Sequence, residues 1–123
     1  MSNRRQRFGR QSEDLAVNHL KKKGYKIIER NYRTKLGEID IIAKDGRSLV
    51  FVEVKARHST SYGSPKGALT PQKKMKISMV ALEYLKRTNQ SHAKARFDVV
   101  AIVADPVQPD VEIIKNAFEL AYP

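Results

Sequence analysis

The sequence predicts an α/β fold, a central mixed β-sheet flanked by helices, in one domain spanning residues 1–123. Three observations lead there. Two stretches carry apolar residues at helical spacing, β-rich runs lie between and after them, and an Asp-Gly pair joins two of those runs. A chain of 123 residues has room for one domain and one modest core.

The first helix is expected from about Phe8 to Lys23, with Leu15, Ala16, His19 and Leu20 at helical spacing. Gly24 is placed to end it, and Lys21, Lys22 and Lys23 complement the negative end of the helix dipole. Residues Tyr25 to Tyr32 read as a first strand. Glu38 to Ala43 and Leu49 to Lys55 read as the arms of a hairpin around Asp45-Gly46. A two-residue loop there pairs Lys44 with Arg47, sets Asp40 opposite Phe51 and sets Glu38 opposite Glu53. Asp40 and Glu53 become diagonal neighbours, about 7–8 Å apart at the backbone, and Lys55 shares their face. Ile39, Ile41, Val50, Val52 and Val54 take the other face.

A loop of about fourteen residues, Arg57 to Thr70, is rich in Ser, Gly and Pro. Loops of that length in compact domains are usually functional or mobile, and Tyr62 within it could stack on a base. Thr70-Pro71 reads as an N-cap followed by proline at the first helical position. The second helix then runs to about Lys86 on a stripe of Ile77, Val80, Ala81, Tyr84 and Leu85. Phe97 to Val103 is apolar enough for a central strand, and Val111 to Ile114 could add an edge strand.

Composition narrows the partners. Twenty-four Lys and Arg stand against thirteen Asp and Glu, for a net charge of +11. Residues 1–97 hold twenty-three of the bases and eight acids, net +15, whereas residues 98–123 carry five acids and Lys115, net −4. A cationic body suits a polyanion, because each neutralised phosphate releases counterions. The absence of cysteine excludes disulfides and thiolate sites and is compatible with a reducing cytoplasm. No apolar run approaches the roughly 20 residues of a membrane span, so no membrane partner is expected. His19, His58 and His92 lack zinc-ligand spacing.

Glu53 lies between Val52 and Val54, where a strand would place apolar residues. Two carboxylates on one face repel unless a cation sits between them. Mg²⁺ or Mn²⁺ fits, being a hard cation that takes one or two carboxylates plus water and phosphate oxygens. Lys55 can reach the same place and contact a phosphate oxygen or an attacking water. Plainer readings stand beside this one. Glu53 and Lys55 could form a surface ion pair, Asp40 could satisfy backbone donors, and Glu38 rivals Asp40 as a ligand.

Asp40, twelve intervening residues and Glu53-Val54-Lys55 match the PD-(D/E)xK pattern of restriction-endonuclease-like nucleases. Gly37-Glu38-Ile39-Asp40, Leu49 to Lys55, Arg30-Asn31-Tyr32-Arg33 and Arg96 to Val100 resemble the YraN-type family of small predicted endonucleases. That resemblance runs from Gly9 to Asn116-Ala117-Phe118. The chain is also similar to Holliday-junction resolvases, which share the core and often dimerise. The resemblance implies a restriction-endonuclease-like fold with Asp40 and Glu53 as metal ligands and Lys55 orienting the nucleophile. It implies that Glu13, on the first helix, stands near the metal, although Ser12 replaces the glycine usual before it. Gln72 and Lys73 match polar positions that approach the catalytic strand. Glu13 could instead pair with a basic neighbour. The expected activity is metal-dependent cleavage of DNA, with RNA left open and a homodimer allowed. Arg4, Arg5, Arg7, Arg10, Arg33, Arg57 and Lys73 would hold the flanking backbone. The rival expectation is a nucleic-acid-binding module of the same fold that does not cut.

Overall fold

The computed structural model describes residues 3–58, 69–105 and 107–121. Tyr62 and most of the expected loop lie outside those residues. Along the chain come α1 (Arg4–Lys22), β1 (Lys26–Thr34), β2 (Gly37–Asp45), β3 (Ser48–Arg57), α2 (Pro71–Arg87), β4 (Ala95–Val103) and β5 (Asp110–Phe118). The strands form one sheet in the order β1-β2-β3-β4-β5. Every pair is antiparallel except β3 and β4. Parallel neighbours need a crossover, and α2 lies in that connection. The α/β architecture is therefore the expected one.

Each helix covers one face of the sheet. Ala16, Val17 and Leu20 of α1 pack with Ile41, Val50, Val52 and Val100. Ile77, Val80, Ala81, Tyr84 and Leu85 of α2 pack with Ile42, Phe51 and Phe97. The α2 stripe is the expected one, and the Thr70 hydroxyl accepts the Lys73 amide as its N-cap. In α1 the boundary and the stripe both differ. The helix begins at Arg4 because Asn3 and Gln6 form a reciprocal capping box. Its buried positions are Ser12, Ala16, Val17 and Leu20, while Leu15 remains 36% exposed. Both helices close with the Schellman pair of bonds. The left-handed residues that permit it are Gly24 (φ +93°) and Asn89 (φ +60°).

The hairpin register also differs. Asp45 pairs with Ser48, so the two loop residues are Gly46 and Arg47 rather than Asp45 and Gly46. Gly46 alone has positive φ (+61°), as a glycine-first hairpin turn requires. Asp45 is thereby kept in the strand, where it accepts a 2.6 Å bond from Arg96. The ladder ends at Ile41 opposite Val52, and one step further Asp40 comes level with Glu53. Glu38 lies opposite Arg33 of β1, not Glu53. The strict alternation expected for β2 also fails. Ile41 faces α1, but Ile39 packs on the α2 side. The break falls at Asp40, where β1 contributes Asn31 in a left-handed conformation (φ +53°).

At the hairpin end of the sheet, fully buried Asp98 accepts bonds from Tyr25 Oη (2.8 Å), Arg96 Nε (2.9 Å) and the Asn116 amide (2.9 Å). Burial and the neighbouring Asp98 push the Tyr25 phenol up to about 12. Asp98 therefore ties the approach to β1, β4 and β5 together. In urea denaturation, Asp98→Ala is expected to cost about 3–5 kcal/mol, the range for one partner removed from a buried charged network. Asp45→Ala, on the more exposed side of Arg96, should cost about 1 kcal/mol or less. Equal losses would contradict this division.

Candidate active site

Beyond Ile41 and Val52 the β2–β3 ladder stops, and a side chain takes over. The Asp40 carboxylate accepts the Val54 amide at 2.8 Å, doing for β3 what a β2 carbonyl does elsewhere. This realises the plain reading of Asp40 as a backbone acceptor, and it also fixes the carboxylate in the gap between the strands. Strand alternation turns Val54 and Ala56 toward α1 and Glu53 toward α2. Asp40 reaches both sides.

Glu53 has a side chain only 10% exposed, and its Oε2 is buried without a hydrogen bond. Lys73 Nζ stands 3.4 Å from that atom, longer than the about 2.7–2.9 Å of a good ammonium–carboxylate bond. The Glu53 carboxyl is pushed up to about 9, first by burial and then by its hydrogen bond to, and repulsion from, Asp40. Lys73 opposes that rise only in part. Lys55, on the same face of β3, is half-buried, and its ammonium is held below the ordinary lysine range. Burial is the main cause, with repulsion from Arg57 adding to it and Glu53 opposing it. Glu53 thus interacts with Asp40 across the gap and with Lys55 along its own strand face, and the lysine paired with it is Lys73 of α2.

On the α1 side a cleft of about 620 Å³ opens against Asp40, Val54 and Ala56. Glu13, Arg10 and Arg33 line it. The Glu13 carboxylate is committed there to Arg30 Nε (2.9 Å) and Asn31 Nδ2 (3.0 Å). It stands in the same cleft as Asp40, paired with a basic neighbour. Glu38 is ion-paired with Arg33 at 3.3 Å and is not part of the cleft lining. Arg4, Arg5, Arg7 and Gln72 are exposed, and Arg57 is half-buried at the end of β3. Among the described residues no group of three or more metal-ligating side chains occurs, so Asp40 and Glu53 stand as a pair.

Sequence reasoning missed two features. Arg30 orients Glu13 while also holding Asp14 at 2.6 Å, and Lys73 reaches Glu53. The Arg30-Asn31 dipeptide was visible, but only the kink at Asn31 brings it beneath α1. The resemblance brought Lys73 toward the catalytic strand, but the sequence assigned its charge to phosphate and named no pairing with Glu53.

The model of the uncharacterised protein family UPF0102 matches residues 12–102. A UPF0102 protein of Desulfosudis oleivorans is 56% identical over 119 residues, covering 97% of this chain and 95% of the relative. One from Syntrophus aciditrophicus is 50% identical over 116 residues, covering 94% and 91%. One from Geobacter metallireducens is 49% identical over 122 residues, covering 99% and 100%. The matched span contains Glu13, Asp40, Glu53, Lys55 and Lys73.

A raised carboxyl pKa favours the fold when protonated. The Glu53 contribution is complete below the ordinary value of 4.5 and is lost as pH climbs toward about 9. Without divalent ions, the stability advantage of Glu53→Gln over the natural chain should therefore grow from pH 5 to pH 8. The gain over that interval should be at least about 1.4 kcal/mol, the free energy of a single pH unit. Urea melts of both proteins at the two pH values read this directly, and parallel pH dependence would refute it.

Proposed function

The chain belongs to the uncharacterised protein family UPF0102, the YraN family, and from that premise we propose that it is a metal-dependent endonuclease hydrolysing DNA phosphodiester bonds. The observation that carries the reading is Glu53 Oε2, a buried oxygen without a hydrogen bond beside a second carboxylate. A divalent cation suits this donor set. It offsets the repulsion between Asp40 and Glu53, accepts the orphaned oxygen as a ligand, and is hard enough to prefer both. Mg²⁺ or Mn²⁺ held by these residues would polarise the scissile phosphate and acidify a bound water.

The chain's own groups do the rest. Asp40 is pre-set by the Val54 amide, so little reorganisation is needed to present its carboxylate. Lys55 shares the Glu53 face and can stabilise charge developing on a phosphate oxygen or orient the attacking water. Arg10 and Arg33 line the cleft beside Asp40, where they can hold the flanking backbone. Exposed Arg4, Arg5 and Arg7 extend the cationic surface along the start of α1. Among the described residues no base-reading helix stands out, so selection by substrate structure is favoured over selection by sequence. Branched DNA rests on similarity to the resolvases alone. A symmetric homodimer would allow two sites to act on two strands.

Calorimetric titration with Mg²⁺ or Mn²⁺ should give binding that disappears in Asp40→Asn and Glu53→Gln while the circular dichroism spectrum stays native. On linear, flapped and four-way DNA, with an RNA control, Lys55→Ala should cut at least about 100-fold more slowly. Equal cutting by natural chain and variant would point to a contaminant. Binding without cutting, across metals and substrates, would make the protein a non-catalytic nucleic-acid-binding module.

A further inference from the structure

A second cavity, of about 520 Å³, lies beside the cleft that holds Asp40, and α1 residue Ser12 lines both. Phe8 and His58 contribute an aromatic pair to it, their rings stacked at 4.0 Å with 22° between planes. Phe8 is half-buried and His58 is exposed. Leu15, Ile102 and Pro109 add apolar wall, and Gln11, itself exposed, offers a carboxamide donor and acceptor. The lining suits a flat molecule with apolar faces and a polar edge.

Charge narrows the occupant further. Arg4, Arg5 and Arg7 surround this end of α1, which has no acidic residue in its first turn. Positive side chains at the positive end of a helix dipole are unfavourable for the isolated fold and become favourable when an anion is bound. Asp105 also lines the cavity, with Oδ1 committed to the Val107 (2.8 Å) and Gln108 (3.1 Å) amides. The arginines therefore remain the groups that an apolar peptide would leave unanswered and a nucleotide would use. We propose that the cavity receives an unpaired nucleobase, stacked with the Phe8–His58 pair, while the arginines of α1 hold the adjoining phosphates. A paired base inside a duplex cannot enter, because its faces are already stacked. The assignment gives the neighbouring site a substrate class: nucleic acid with a single-stranded segment close to the bond addressed. It rests on the nucleic-acid partner of the reading above, and not on cleavage.

The test is binding in EDTA, with the full chain and two probes of one sequence. One probe is a single strand carrying 2-aminopurine, and the other is its perfect duplex. Fluorescence of the single strand should be quenched on binding. His58→Ala and Phe8→Leu should each weaken single-strand binding roughly tenfold. Duplex affinity should hold, and Phe8→Trp should retain the natural single-strand affinity. Circular dichroism checks that each variant is folded. Unchanged single-strand affinity in His58→Ala and Phe8→Leu, or equal losses on both probes, would overturn the assignment. Base-selective binding by a protein that never cuts in Mg²⁺ would uphold the cavity and sink the endonuclease. Cutting without base selectivity would sink the cavity alone.

Discussion

Asp40 bonds the Val54 amide at 2.8 Å where the β2–β3 ladder has ended, and the site is organised around that bond. A backbone amide facing a gap between strands must find an acceptor, since a buried unpaired N–H costs about 1–3 kcal/mol. Supplying the acceptor from a side chain lets the strands part without that loss. It also carries one negative group to the level of Glu53, and it leaves room on the α1 side for the cleft. The same bond that satisfies the amide also sets the carboxylate the proposed function uses, so the plain and the chemical readings of Asp40 are compatible.

Two buried carboxylates in this fold show how structure separates such roles. Asp98 is fully buried and is met by Tyr25, Arg96 and the Asn116 amide, all within 2.9 Å, with Arg96 bringing a compensating charge. Like Asp40, it captures an amide where a neighbouring strand is irregular, here at left-handed Asn116 of β5. Its needs are met within the chain. The Glu53 side chain is only 10% exposed, yet one oxygen is left to a lysine 3.4 Å away and the carboxyl also faces another acid, Asp40. A network that closes on itself holds the sheet together. The one left open is where the proposed cation would bind.

Much of this was legible in the sequence, and the exceptions have physical causes. The α2 stripe could be read because five apolar residues repeat at helical spacing behind a Thr-Pro start. The Asp-Gly signal located the hairpin but placed its loop one residue early, because both residues favour turns and only Arg96 decides for Asp45. The shift changes each cross-strand partner by two positions, and side chains alternate with period two, so the expected and observed registers keep Asp40 and Glu53 in the same phase. Ile39 could not be placed by alternation, since the phase break at Asp40 depends on the left-handed turn at Asn31 in another strand. The resemblance brought Lys73 toward the catalytic strand, but its pairing with Glu53 depends on how α2 docks.

The sheet's two ends divide the work in a way its strand directions make natural. β3 and β4 run parallel, and ligands of α/β sheets gather beyond the carboxyl ends of parallel strands. Glu53 and Lys55 lie in that half of β3, while the Asp98 network runs from the level of Val52 back through Arg96 to Asp45 beside the hairpin. A domain of this size keeps only about 5–15 kcal/mol of net stability, so a buried acid with an unmet oxygen is a large fraction of it. That cost falls where the β2–β3 ladder has already ended. The rigid end holds the register that keeps Asp40 level with Glu53. A sheet closed at that end as well would leave no unsatisfied oxygen for the proposed cation.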